Sequence, residues 1–496
     1  MKKIILILIF AVISINAQSR IFLDEEYSDW DNVTDSYADA KDDGTAGNID
    51  LGTMWIANDE NYLYLRVETG IEINATDNNY LTLYIDADND TSTGKKVDGI
   101  GAEVEYIFGR RGGFAYLNGE EKIYHEALGF IASPTVSSSQ LEFALRRDAS
   151  ISGSPLFTHD TIKAAFIAYK DNSLTEALDK APDNGGIEFI FREGNCKPFP
   201  EYSIDKKDDS SLRIMSYNIE RDGLIEKEST ITGFSHIFKA INPEIIGFCE
   251  VYKSSSQDVA DKINFFLPPK DGEQWYHAKN DEEGDIVLLS HFPILKSTII
   301  HSEVGHDASG AFLVDLKLKF NKNILLIVCH PKCCSSKGDE DDKRQNQVDA
   351  VMEFIRKAKA GEGEFAIAEN TPIVIMGDMN FVGSNQQRKT LLTGDIINNN
   401  TYGEDLKPDW DGSNLVDSRP YVTNTGMTFT TNSGSYPSGR LDYMIYTGSV
   451  MRKTNSFILD TQTLPEEALS KYGLSADDTE EASDHLPVVV DFELEK

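Results

Sequence analysis

The chain has 496 residues, 40% hydrophobic and 26% charged, an ordinary globular composition with room for about two to four domains. Its formal net charge of −35 favours solubility and repels polyanions at long range, which argues against a broad basic footprint for duplex nucleic acid. A phosphate substrate stays open, because a bound metal inverts the local field at its own site.

At the N-terminus, Lys2 and Lys3 precede an apolar run over 4–13, and small residues near Ala17 close it. This predicts a secretory signal peptide over 1–17 and an exported protein, extracellular or periplasmic. The alternative is an uncleaved anchor; a lipoprotein signal lacks its cysteine. No later stretch approaches the ~20 apolar residues of a membrane helix, so stable membrane insertion is not expected.

Residues 20–195 alternate short strand-like runs (51–56, 62–67, 80–85, 103–108, 141–145 and 162–169) with Gly/Asn/Asp turns. That spacing predicts an all-β sandwich. After the run at 80–85 comes Asp86-Ala87-Asp88-Asn89-Asp90-Thr91-Ser92-Thr93-Gly94. Alternate aspartates put Asp86, Asp88 and Asp90 on one side of a tight loop, as a Ca²⁺ site requires; an acidic turn without metal is the other reading. The segment from Trp55 to Gly94 resembles sandwich modules related to family-nine carbohydrate-binding and DOMON-like domains. The resemblance implies a glycan partner met by exposed aromatics, although Trp30 and Trp55 fit a core equally well.

A Pro/Gly-containing, charged stretch ends this half, and 196–211 is read as a linker. From 212 to 496 the texture changes. Apolar runs at 214–219, 245–251, 286–289, 324–329 and 373–376 suit buried strands. Between them, Ile231, Phe234, Ile237, Phe238 and Ile241 mark one helical face, and Val348, Val351, Met352 and Ile355 another. Strands alternating with helices predict an α/β domain. Five cysteines, an odd count, make no disulfide framework. Cys249 and Cys329 lie in apolar runs as buried thiols, while Cys196 can pair with Cys333 or Cys334.

Residues able to bind metal or move protons recur at the ends of these strands: Asn218, Glu250, His330, Asp378 with Asn380, Asp442, and Asp484-His485. Strand ends and their loops are where α/β sheets carry active sites. One acid at a strand end is ordinary turn chemistry; the recurrence is not.

Met215-Ser216-Tyr217-Asn218-Ile219, Ile245-Ile246-Gly247-Phe248-Cys249-Glu250-Val251, Met376-Gly377-Asp378-Met379-Asn380, Arg440-Leu441-Asp442-Tyr443 and Ser483-Asp484-His485-Leu486-Pro487-Val488 occur in that order. Together they resemble the endonuclease/exonuclease/phosphatase superfamily, and Gly284-Asp285-Ile286 through Ile294 resembles another of its segments. The resemblance implies two packed mixed β-sheets flanked by helices and a metal-dependent hydrolase of phosphate esters. His330 matches DNase-like, sphingomyelinase-like and 5-phosphatase branches and argues against an abasic-site endonuclease.

On chemical grounds Glu250 suits hard Mg²⁺ or Mn²⁺, Asp484 would support it, and Asn218 would orient Glu250 or touch the metal. Asp378 would position or deprotonate the attacking water, and Asn380 would donate to phosphate or nucleophile. His485, held by Asp442, would contact phosphoryl oxygens, and His330 would act as a second donor. Arg344 and Gln347 resemble an Arg-x-x-Gln pattern that would bind substrate, with a solvated helix face as the alternative. The expected function is an extracellular nuclease. The alternatives are a sphingomyelinase- or inositol-phosphatase-like enzyme acting on a lipid head group or small phosphate ester, and an inactive glycan-binding adhesion protein.

Overall fold

The computed structural model describes residues 20–494 apart from 45–46, 194–195, 197, 271–272, 282, 306, 364 and 433. The expected signal peptide, 1–17, lies outside the described residues.

The N-terminal half is a β-sandwich. One sheet runs in the order Ser36–Ala38, Thr53–Asn58, Tyr62–Ile73, Ser138–Arg146 and Ile131–Ser133. The other holds Leu81–Asp86, Val104–Ile107, Gly112–Ala115, Glu121–Tyr124, Thr161–Tyr169, Ala177–Ala181 and Ile187–Ile190. Leu63, Leu65, Val67 and Phe143 of the first sheet meet Leu83, Ile85, Tyr106 and Phe166 of the second in one core.

Tyr64 on the same strand points the other way. With Ala57, Ile131 and Ala144 it joins a cluster containing Val422, Met427 and Phe429 of the C-terminal half. A half-solvated antiparallel sheet would show polar residues at these alternate positions. The unbroken apolar stretch Leu63-Tyr64-Leu65 reflects burial on both faces.

The C-terminal half packs two six-stranded sheets. The first runs Tyr276–Lys279, Val287–Ser290, Ile245–Cys249, Leu212–Asn218, Val488–Leu494 and Met451–Ile458. The second runs Ile294–Ile299, Ser309–Asp315, Asn323–Cys329, Ile373–Asp378, Asp442–Tyr446 and Val416–Asp417. Leu212–Asn218 with Ile245–Cys249 and Asn323–Cys329 with Ile373–Asp378 are parallel pairs; the remaining pairs are antiparallel.

Ile214, Leu326, Val328, Val374 and Met376 fill the space between these sheets. Their neighbours Met215, Leu325, Ile327, Ile373 and Ile375 face outward. Helices Ile231–Ile241 and Ser256–Phe266 cover one outer face, and Asp339–Ala360 covers the other. Both faces of each central strand are therefore buried, as the continuous apolar runs predicted.

Arg213 pairs across neighbouring strands of the first sheet with Asp491, its partner in register, by hydrogen bonds of 2.6 and 2.7 Å, with both side chains at most 2% exposed. Removing one partner leaves the other charge buried and unpaired. Arg213→Met is therefore expected to cost about 3–5 kcal/mol, measurable as a lowered urea midpoint with an unchanged slope.

Three cysteine readings have outcomes. Cys249 and Cys329 are buried free thiols, as expected. Cys196 is free and pairs with neither candidate, because Cys333 and Cys334 bond to each other. Among the described residues no helix is long and apolar enough to cross a membrane.

Candidate active site

The ends of the central strands meet at one edge of the two-sheet sandwich. Asn218 closes its strand, and parallel register sets it beside Cys249, so Glu250 lies one residue beyond. Glu250 has φ of 64°, a left-handed turn that ends the strand. Asp378 closes the matching strand of the other sheet and pairs in register with Asp442. A Cβ on Gly377 would sit 2.0 Å from the Cys329 carbonyl oxygen, and its φ is +133°. Only glycine permits this approach, which brings Asp378 close to His330.

The Asn218 amide nitrogen donates to Glu250 Oε1 at 3.0 Å and to Asp378 Oδ2 at 3.1 Å, while its oxygen accepts from the Glu220 N–H at 3.0 Å. Its oxygen is thus engaged by the backbone. Of the two roles expected, orienting Glu250 is the one the geometry supports. Glu250 Oε2 accepts the Arg221 N–H at 2.9 Å.

Two histidine–aspartate pairs flank Asp378. His485 Nδ1 bonds Asp442 Oδ2 at 2.7 Å, and His330 Nδ1 bonds Asp285 Oδ2. The Nε2 atoms of both imidazoles lie 3.6 Å from Asp378 Oδ2. Burial works to keep His485 neutral, but Asp442, Asp378 and Asp484 outweigh it and hold its pKa up to about 10. Burial opposes protonation of His330 likewise, and Asp285, Asp378 and Glu250 raise it to about 9. For Asp378, burial pushes the carboxyl up while the two imidazoles pull it down. Two imidazoliums facing several carboxylates is the state this arrangement favours.

The supports are backbone groups and hydroxyls. The Thr430 hydroxyl accepts from the N–H of Leu441 and of Asp442, and the Thr430 carbonyl accepts from Leu486 N–H. Ser483 Oγ donates to the Asn218 carbonyl and accepts from His485 N–H. Asn380 donates its N–H to Asp378 Oδ1 and its amide to the Pro331 carbonyl. It therefore ties the loop after Asp378 to the loop after His330.

The N-terminal sandwich abuts the same loops. Asn74 donates to the Val382 carbonyl, Thr135 to the Arg440 carbonyl, and Asn78 to Ser336 Oγ.

Several expectations are revised. Arg344 is fully buried and donates to the Ser335 carbonyl and Asp341, and Gln347 accepts the Lys332 N–H. Both brace the loop after His330 instead of offering polar groups to a substrate. Asp484 is exposed and stands outside the metal-capable group described below. Asp285 was not singled out as functional by sequence reasoning. Its turn-like position before Val287–Ser290 gives no local signal beyond the Gly284-Asp285 motif.

Glu250, His330 and Asp378 each bring a ligand-capable atom within 4.8 Å of the others. Carboxylate oxygens dominate this set and suit a hard divalent ion that retains waters; Glu250 is the residue that would hold it, with Asp378 close enough to act on water beside it. Such an ion, when bound, polarises the phosphoryl group as a Lewis acid. His330, raised toward its charged form, fits an anion-contacting role better than ligation.

Asp285→Asn is expected to lower kcat about 10–100-fold, because it releases the His330 ring and removes the charge that raises it. An NMR titration should show the His330 imidazole pKa falling below about 9. An unchanged titration would remove Asp285 from this role.

Carboxylates gathered between two oriented imidazoliums, at the strand ends of a two-sheet sandwich, define a metal-dependent hydrolase of phosphate esters. Residues 215–485, more than half of the chain, match the Endonuclease/Exonuclease/phosphatase family, and the chain belongs to that family. No curated protein matches it. Similar solved structures include the human Nocturnin catalytic domain with bound sulfate, at 16% identity and TM-score 0.38, covering 58% of this chain and 95% of that one. Another is ANGEL2, a 2′,3′-cyclic phosphatase, with adenosine-2′,3′-vanadate, at 17% identity and TM-score 0.39, covering 61% and 100%. A third is D. rerio TDP2 with a single-strand DNA product, at 13% identity and TM-score 0.36, covering 57% and 100%.

Proposed function

We propose that this phosphoesterase is an exported nuclease that cleaves phosphodiester bonds of short or single-stranded nucleic acid with Mg²⁺ or Mn²⁺. Asp378 orients the attacking water and draws on its proton. His485 and His330 donate to the non-bridging oxygens, where negative charge grows in the transition state. Asp442 and Asp285 keep the two rings aimed.

The observation that carries the nucleic-acid reading is Tyr252. It lies two residues beyond Glu250, its side chain is 47% exposed, and its backbone is held by Asp222. Partial burial and the charges of Glu250 and Asp285 push its phenol up. A tyrosine ring at that rim suits stacking of a nucleobase beside the scissile phosphate. The net charge of −35 disfavours long duplexes, whose binding depends on neutralising many phosphates. Export rests on the leader-like 1–17 segment, and the Cys333–Cys334 bond suits an oxidising compartment.

Trp30 is buried with its indole N–H on Glu142, and the Arg66 guanidinium lies 4.1 Å from the Trp55 ring centroid. Neither is a free sugar platform, so no glycan role for the sandwich is included in this reading.

The test is a turnover panel with and without chelator: single-stranded DNA, RNA, plasmid DNA, sphingomyelin and inositol phosphates. Single-stranded substrates should lead it. Tyr252→Ala should raise KM for an oligonucleotide about 5–100-fold, the worth of one stacked base, and leave an inositol phosphate unaffected. Preference for sphingomyelin or inositol phosphates would replace the nuclease reading with the lipid- or polyol-directed one.

A further inference from the structure

Asp86 ends the strand Leu81–Asp86, and Glu103 stands just before the strand Val104–Ile107 that pairs with it. Together with Asp88 they bring ligand-capable oxygens within 4.8 Å of one another. Asp86 is 0% exposed and Glu103 5%. Each uses one oxygen on the backbone: Asp86 Oδ2 accepts the Gly101 N–H at 3.1 Å, and Glu103 Oε2 accepts the Ala87 N–H at 2.8 Å. The other oxygen of each, Asp86 Oδ1 and Glu103 Oε1, is buried with no hydrogen-bond partner. Asn89, on the same loop, also carries a buried side-chain oxygen without a partner.

Buried carboxylates in native proteins are paired, hydrogen-bonded or ligated, since an isolated one is costly. The nearby lysines do not serve these. Lys95 pairs with Glu105, and Lys96 donates to the carbonyls of Thr91 and Thr93. The loop is wrapped closely on the group. A Cβ at Gly94 would lie 2.7 Å from Glu103 Oε1, and one at Gly101 would lie 2.5 Å from the Asp90 carbonyl oxygen.

We propose that Asp86, Asp88 and Glu103, with Asn89, form a structural Ca²⁺ site that clamps the 86–103 loop of the sandwich. All the donors are hard oxygens. They lie on an irregular loop and a strand end, which suits the flexible, high-coordination shell of Ca²⁺ over the strict octahedron of Mg²⁺. The site revises the aspartate alternation read in the sequence. Asp90 is exposed and its carboxylate caps the Ser92 N–H, whereas Glu103 takes its place from across the sheet. It is independent of the catalytic centre and of the nuclease reading.

The test is thermal unfolding of the full mature chain carrying Glu250→Gln, which suppresses metal binding at the active site. Ca²⁺ at about 100 times its Kd should raise Tm by about 2–3 °C or more over chelator. Mg²⁺ at the same concentration should raise it far less. Glu103→Gln and Asp86→Asn, added singly, should abolish the calcium-dependent rise, and Asp90→Asn should retain it. Glu103→Gln in the otherwise native chain should leave Mg²⁺-supported turnover unchanged. If Asp86→Asn does not fold, the less buried Asp88→Asn takes its place. No rise in the Glu250→Gln chain, an equal rise with Mg²⁺, or a full rise in Glu103→Gln would each overturn the proposal.

Discussion

Replacing His485 with alanine is expected to lower kcat about a thousandfold, within the range for a positioned proton donor, while the far-ultraviolet circular dichroism stays native. The ring is bonded through Nδ1 to Asp442 and set 3.6 Å from Asp378 by Nε2, so in the proposed mechanism its loss removes both an oxyanion donor and a neighbour of the water-orienting carboxylate. KM should change much less than kcat, because the interaction grows with charge in the transition state. The pH profile provides a second readout. In the proposed mechanism His330 and His485 both act protonated, with pKa values held at about 9 and about 10, so activity should fall as pH rises through about 9 and further through about 10. Asp442→Asn removes the largest charge raising His485. The alkaline limb should then shift down by more than about one unit, toward the ordinary imidazole range. An unmoved limb would separate His485 from the observed titration.

Glu250→Gln is expected to be comparably damaging through a different route. Its carboxylate receives the Asn218 amide and the Arg221 N–H, which aim it toward Asp378 and His330. The amide that replaces it keeps the shape and loses the charge. Turnover should fall about a thousandfold, as expected where Lewis-acid stabilisation is worth several kcal/mol, and the metal concentration for half-activation should rise at least about tenfold. Chelator should abolish wild-type turnover, and excess Mg²⁺ should restore it. Wild-type activity surviving chelation would contradict the metal-dependent assignment; a Glu250→Gln variant with an unchanged metal titration would move the ligand elsewhere.

Much of this site was legible in the sequence, because strand ends announce themselves. A buried central strand is a run of apolar residues, and the first polar residue after it must leave the core. Asn218 and Asp378 close such strands, Glu250 and His330 follow them directly, Asp442 opens a return strand and His485 sits just ahead of another. Asp285 escaped as a functional residue because it precedes an edge-ward strand, where an acid is ordinary turn chemistry. Only the antiparallel pairing of Ile245–Cys249 with Val287–Ser290, and the Val251 N–H on the Asp285 carbonyl, bring it to His330.

Arg344 and Gln347 show the opposite case. Their spacing places them on one helical face, but spacing cannot say what that face meets. In the fold it meets the loop after His330, and both side chains hydrogen-bond there.

Local periodicity, and the polar residues that interrupt it, carry the two-part organisation, the alternation of strands and helices, and most of the candidate site. Tertiary structure alone decided which acids share a charge. Asp285 joins His330, and Glu103 joins Asp86, because hydrogen-bonded register brings together residues that local spacing never compares. It also decided that the sandwich braces the catalytic loops through Asn74 and Thr135. A sheet buried on both faces leaves its mark in the chain as an apolar run, but the partner that buries the second face is written elsewhere.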